Sequence, residues 1–389
     1  MIDVARLRRD TPGAEQVCHL NNAGSSLPPR VSLDAVVAHL ELEATIGGYE
    51  AGAVRATEIE AVYGSIGRLI GAERDEIAFI ENATRAWDMA FYSLRFEPGD
   101  RIITGMAEYA SNAIAMLQVA AHTGVRIDVC PDDEHGQLDV AALELMLDDR
   151  VRLIAAVHAP TQGGLLNPVA AIGRVARAAG IPYLLDACQS VGQVEIDVET
   201  IGCDMLSATG RKFLRGPRGT GFMYVRREAL EKLEPAVIDI HAARWITRDT
   251  FEWRKDAKRF EVMEYNVADR LGMGAAVDHA LAWGLDAIEE RILGLSTLLR
   301  GKLNELPRVI VRDQGTRPSG INTFTIEGCD LNALMLKMRT QGINTAVTNN
   351  DWAWLDLGGR GIEGIMRASL SYYNTEEEVE RFVEAIARA

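Results

Sequence analysis

Apolar and polar residues follow two rhythms along the first two-thirds of the chain. Short runs that are apolar on both faces, bounded by Gly, Pro or Asp, predict strands over 76–80, 101–104, 126–129, 153–158, 183–186, 205–208 and 221–225. Stretches with helical spacing lie between them and predict helices over 84–94, 111–122, 140–147 and 170–179. Such alternation is the pattern of a mostly parallel sheet covered by helices, an α/β fold. Past Val225 it stops: 261–282 and 286–306 read as two long helices, and strands follow at 309–311, 322–326 and 366–371. A last helix over 375–388 opens on a capping signature, Asn374-Thr375 with Glu376, Glu377 and Glu378 in its first turn. The organisation expected is an N-terminal arm (1–18), a large domain (19–258) built on a seven-stranded sheet, and a smaller C-terminal α+β domain (259–389).

Composition narrows the class. The 389 residues, 48% of them hydrophobic, suffice for a large core. Acidic residues outnumber basic ones 56 to 41, the net charge is −15 and no basic run appears, which argues against nucleic acid as a partner. The N-terminus shows no signal peptide, and no apolar run approaches the roughly 18 residues a membrane helix needs. Cys18, Cys130, Cys188, Cys203 and Cys329 are scattered without Cys-x-x-Cys spacing, against a disulfide framework or a metal site. A reduced, cytoplasmic protein without metal or membrane partner is expected.

Three segments carry chemistry. In Leu184-Leu185-Asp186-Ala187-Cys188-Gln189-Ser190 an apolar strand ends in a carboxylate, at the sheet edge where open α/β folds place their sites. Alone, Asp186 reads more readily as the cap of the next turn. The second segment, Ser207-Ala208-Thr209-Gly210-Arg211-Lys212-Phe213, follows the next strand and runs into Gly216-Pro217-Arg218-Gly219-Thr220-Gly221. A lysine in a glycine-rich bend beside other cations suits a carbonyl cofactor, which needs an amine of lowered pKa. An Asp under the same ring would keep a pyridine nitrogen protonated. In Glu81-Asn82-Ala83-Thr84-Arg85-Ala86-Trp87 a strand gives way to a helix, whose first N–H groups could face an anion. An ordinary Asn N-cap is the plainer alternative.

Asp-Ala-Cys-Gln-Ser together with Gly-Arg-Lys-x-x-x-Gly-Pro-Arg-Gly-x-Gly resembles the class V aminotransferase group of fold-type I pyridoxal 5′-phosphate (PLP) enzymes. That group includes cysteine desulfurases, isopenicillin N epimerase-like proteins and kynureninase. The resemblance runs from His19-Leu20-Asn21-Asn22-Ala23-Gly24 to Arg367-Ala368-Ser369-Leu370-Ser371-Tyr372-Tyr373-Asn374-Thr375. It implies Lys212 as the Schiff-base lysine and proton shuttle, Asp186 at the pyridinium nitrogen and Gln189 at the phenolic oxygen. Ala83 and Thr84 would bind the phosphate, with Thr209 and Arg211 standing where relatives often carry Ser and His. Tyr109 would stack on the ring, or else be a core or interface tyrosine. Arg367 would clamp the substrate carboxylate, and Asn22 and Thr161 would join it in binding substrate. A homodimer is implied as well. The stretch Arg259-Phe260-Glu261-Val262-Met263-Glu264-Tyr265-Asn266 departs from the group, however, by carrying an acid near the place of a Thr that reaches the neighbouring phosphate.

Within the group, a desulfurase takes sulfur on a mobile Cys in the loop before the arginine strand. Residues 345–366 contain no Cys. Leu42-Glu43-Ala44-Thr45-Ile46-Gly47-Gly48-Tyr49, the Glu-Tyr-x-x-Asn around Tyr109 and the Glu264-x-Asn266-Val267-Ala268 run are similar to hercynylcysteine sulfoxide lyases. The expectation is a C–S lyase that β-eliminates from a cysteine S-conjugate or sulfoxide and releases pyruvate and ammonia. An aminotransferase or an epimerase is the alternative, a desulfurase the less favoured one, and a non-catalytic binding protein the last. Trp352, Trp354 and Tyr49 are offered for an aromatic substrate pocket or for simple packing.

Overall fold

The computed structural model describes residues 2–388. All seven strands expected in the first two-thirds form one sheet: β1 (Ile77–Ile80), β2 (Arg101–Gly105), β3 (Arg126–Cys130), β4 (Val151–Val157), β5 (Tyr183–Asp186), β6 (Met205–Thr209) and β7 (Gly221–Val225). Their order is β1-β7-β6-β5-β4-β2-β3; β7 runs antiparallel to both neighbours and the other pairings are parallel. Adjacent residues of one strand enter opposite core layers. Leu185, Ile103 and Ile154 pack on one face, Leu184, Ile102 and Leu153 on the other. A sheet covered twice needs apolar side chains on both faces, so these strands read as unbroken apolar runs.

Elements before β1 and after β7 follow less legible rules. Helices Arg30–Ile46, Gly48–Val54 and Ala56–Ile70 precede β1. The first two are parted by Gly47, whose φ of 99° a side chain would strain. The expected helix over 261–282 starts later, at Val267, because the Asn266 side chain caps it by accepting from Asp269 N at 2.9 Å. Upstream, Glu261 is buried and accepts from Tyr63 Oη (2.8 Å), Phe79 N (2.8 Å) and Arg270 Nη2 (3.1 Å). Burial opposes its ionisation, but the hydrogen bond from His241 and the Arg270 guanidinium hold its carboxyl below the usual range. A hairpin, Ala243–Thr247 with Thr250–Trp253, also stands where no strands are expected.

The C-terminal third holds a second, antiparallel sheet: β8 (Val309–Val311), β9 (Ile321–Ile326), β10 (Ala346–Asn349) and β11 (Gly364–Ser369), in the order β8-β9-β11-β10. Helices Leu285–Asn304 and Glu376–Ala387 cover it. Thr375 and Glu378 form the reciprocal capping box that the sequence signals. Cys18 and His19 pair in parallel with Ile343 and Asn344, and Asn21 bridges Ser369. This stitch brings the segment around Asn21 beside β11. Among the described residues no helix is long and apolar enough to cross a membrane.

Candidate active site

The carboxyl ends of β5 and β6 and the starts of helices Ala83–Phe91 and Ala110–Thr123 converge on one cleft. Its main cavity, of about 300 Å³, is lined by Ala83, Thr84, Arg211 and Arg218, and by Tyr109, Asp186, Cys188 and Lys212. A smaller recess shares the last four residues and adds Thr161 and Gln189. The cleft therefore unites Lys212, Asp186, Tyr109, Gln189, Arg211, Ala83, Thr84 and Thr161 from separate stretches of sequence. Cavities of this size at the carboxyl edge of a parallel sheet are usual ligand sites.

Lys212 sits in a turn held by its own backbone. Arg215 N donates to Lys212 O (2.9 Å), Gly216 N to Gly210 O (2.8 Å) and Gly210 N to Thr220 O (2.9 Å). A Cβ at Gly210 would lie 2.2 Å from Thr220 Oγ1, so this position requires glycine. Arg215 takes a left-handed φ of 62°, fixed because its fully buried guanidinium lies 4.5 Å from the Tyr373 ring centre and Nε donates to Leu27 O at 3.0 Å. The Lys212 amine is buried, 3.3 Å from Cys188 Sγ and 5.9 Å from the Tyr109 ring centre. Burial, aided by the Arg211 charge, lowers its pKa against the pull of Cys188 and Asp186.

Asp186 is equally fixed. Its Oδ1 accepts from Cys188 N and its Oδ2 from Asn112 Nδ2, both at 2.9 Å. Burial raises its pKa against those two bonds and against Lys212. Asn82 spends its side chain on Arg85 N (3.0 Å), and the helix start at Ala83 and Thr84 lines the cavity together with Arg211 and Arg218. A helix N-terminus and two guanidiniums make an anion end.

Arg367 on β11 of the second sheet lines neither cavity but stands behind Thr161, which lines the recess. It donates to Thr161 Oγ1, and its Nη2 to Asn21 Oδ1 at 3.3 Å. It makes no ion pair among the described residues, and its buried Nε has no partner. Burial pushes it down to about 10, so it remains a cation at neutral pH. A buried guanidinium without a carboxylate is suited to receive one from a ligand.

Two expected residues stand elsewhere. Asn22 is fully buried and its polar atoms are taken: Nδ2 by His19 O (3.1 Å) and Ser369 O (2.8 Å), Oδ1 by Tyr373 Oη (2.6 Å). Its neighbour Asn21 is the one that meets Arg367. Thr209 lies behind the cavity, donating to Thr220 O and accepting from Arg211 Nη1, both at 3.1 Å, so it orients Arg211. Both hydrogens of the Gln189 amide go to Ala23 O (3.1 Å) and Thr161 Oγ1 (3.0 Å); donating to a cofactor would require releasing one. Trp352 and Trp354 line a separate apolar groove with Ile114 and Leu117, and Tyr49 is 83% exposed. Asn112, Cys188 and Arg218 join the cleft unannounced, although Asn112 closes the Glu-Tyr-x-x-Asn run and Arg218 lies in the Gly-Pro-Arg-Gly run.

The donor set fits PLP. An anion end, a buried carboxylate, a depressed amine and an aromatic ring line one cavity, in the combination that a phosphorylated pyridine aldehyde calls for.

The family model for aminotransferase class-V matches residues 18–382. The cysteine desulfurase of Pectobacterium atrosepticum is 29% identical, the alignment covering 99% of this chain and 97% of that protein. The apo cysteine desulfurase of Thermococcus onnurineus superposes with a TM-score of 0.92 at 24% identity, over 100% of this chain and 98% of that one. A cystine C–S lyase solved with its product cysteine persulfide gives a TM-score of 0.88 at 22% identity, over 97% and 99% of the two chains. The protein has the fold-type I architecture of PLP enzymes, and the chain belongs to the class V aminotransferase family.

Proposed function

We propose that the cleft holds PLP covalently on Lys212 and that the protein is a C–S lyase acting on a cysteine S-conjugate or sulfoxide. The convergence of Lys212, Asp186 and the helix start at Ala83 and Thr84 on one cavity carries the cofactor reading. Ala83, Thr84 and Arg211 would hold the phosphate, Asp186 would pair with the ring nitrogen, and Tyr109 would stack on the ring. The bound cofactor supplies an electron sink for the charge left at Cα. Arg367 and Thr161 hold the substrate carboxylate. Lys212, its amine depressed by burial, takes the Cα proton. Cleavage of Cβ–S, with water consumed, yields a thiol or sulfenate, pyruvate and ammonia.

Against a desulfurase stands the chemistry of the cysteines. Residues 345–366, which include β10 and a one-turn π-helix at Trp354–Gly358, contain none. Cys188 lines the cleft, but at a sheet edge, and burial pushes its thiol up despite Lys212. A sulfur acceptor works as a thiolate. Burial likewise pushes Cys18, Cys130 and Cys203 up to about 12, and Cys329 packs against the core of the second sheet. Each of the five Cys→Ser variants is therefore expected to keep turning over substrate. Loss of turnover in any one, with persulfide trapped on that cysteine in the wild type, would restore the desulfurase reading.

A cytoplasmic homodimer is part of the proposal. Helix Arg30–Ile46 leaves Val31, Leu33, Val37 and Leu40 42–49% exposed while burying Ser32 and His39, and an apolar outer face of this kind supports self-association.

A further inference from the structure

We propose that Glu108 is a positioning residue that acts through Asn112 to orient the Asp186 carboxylate toward the cofactor ring. The inference rests on reading the cleft as a PLP site. Asn112 Nδ2 lies 2.9 Å from Glu108 Oε1 and 2.9 Å from Asp186 Oδ2. An amide nitrogen has two hydrogens, and both are used here. With acceptors on both sides the amide has one satisfactory orientation, nitrogen toward the carboxylates. If Glu108 did not accept, Asp186 alone would hold the Asn112 amide in this orientation, and the amide would be free to swing away from the Asp186 carboxylate.

Glu108 is itself held at both oxygens. Tyr109 N donates to Oε1 at 2.7 Å, and Oε2 pairs with Thr104 Oγ1 at 2.6 Å. The chain thus runs from β2 through the loop before helix Ala110–Thr123 to the end of β5. Thr104, Glu108, Asn112 and Asp186 are all at most 6% exposed, so losing one of these bonds leaves a largely buried polar group short of a partner. Burial pushes the Glu108 carboxyl up to about 7. Either protonation state leaves Oε1 accepting, because a proton on Oε2 is donated to the Thr104 hydroxyl. Asp186 has one further donor, Cys188 N, so Asn112 supplies half of what orients it.

The test measures PLP affinity and the pH midpoint of the bound cofactor's absorbance in Glu108→Gln, Glu108→Ala, Asn112→Ala and the double alanine variant. Gln keeps an acceptor for Tyr109 N and Asn112 and can donate to Thr104, so Glu108→Gln should match wild type within about twofold. Glu108→Ala should weaken PLP binding about tenfold and shift the midpoint. The double variant should lose no more than Asn112→Ala alone, because both removals act on one contact. Wild-type affinity and midpoint in Glu108→Ala, or additive losses in the double variant, would overturn the proposal. So would a loss in Glu108→Gln equal to that in Glu108→Ala, which would make charge the cause. If Glu108→Ala does not fold, Asn112→Ala decides: an unchanged affinity and midpoint there also overturn it. A wild-type protein that takes up no PLP refutes the cofactor reading and is thereby distinguished from failure of the relay.

Discussion

Lys212→Ala is expected to carry no covalently attached PLP and to lose at least about 10³-fold in turnover. The effect is large because one amine performs two tasks, holding the cofactor and moving the Cα proton. No second lysine lines either cavity, and Cys188, its nearest partner, cannot replace a base of that reach. The amine's lowered pKa has a clear sign. A lysine depressed by burial becomes neutral at a lower pH than an exposed one, so proton abstraction should fail only as the pH drops through that lowered value. Borohydride reduction followed by peptide mass analysis checks attachment. Wild-type protein should carry the reduced cofactor on Lys212, and labelling elsewhere, or full labelling of Lys212→Ala, would refute the assignment.

Arg367→Ala is expected to raise KM for amino-acid substrates roughly 10²-fold while PLP affinity stays within about twofold. The guanidinium is buried, reaches Thr161 and Asn21, and has no anionic partner among the described residues. It therefore bears a desolvation cost that the free protein leaves uncompensated, and a substrate carboxylate compensates it. Arg367→Lys should recover little, because a point charge cannot replace the planar fork. Steady-state kinetics beside a PLP titration separates the two quantities. Equal loss of PLP and substrate affinity would place Arg367 in the cofactor's support instead.

What the sequence disclosed follows the range of the forces involved. The seven strands of the large sheet were legible because burial on both faces leaves continuous apolar runs such as Leu184-Leu185. That Lys212 and Asp186 share a cleft was legible because both follow apolar strands of the sheet at its carboxyl edge. Helix Arg30–Ile46 was not, since its apolar residues face outward and Ser32 and His39 face in, inverting the usual pattern. Asn21 rather than Asn22 meets Arg367, because neighbouring side chains in an extended segment point to opposite faces. Which face meets Arg367 is set by the pairing of Cys18 and His19 with Ile343 and Asn344, far away in sequence. Thr209 and Arg211 look interchangeable as phosphate ligands until the hydroxyl is seen to be spent on Thr220 O. The Asn266 cap sets the helix start at Val267 locally, whereas the non-helical stretch before it is held by Glu261 on Tyr63 and Arg270, again a long-range event.

The most direct test of the whole account is a product assay on cysteine S-conjugates, sulfoxides and free cysteine, with and without an added keto acid. Pyruvate and ammonia in equal amounts, formed from at least one conjugate or sulfoxide without a keto acid, is the predicted result. Turnover only when a keto acid is added would contradict it and make the protein a transaminase; alanine with persulfide from free cysteine would make it a desulfurase.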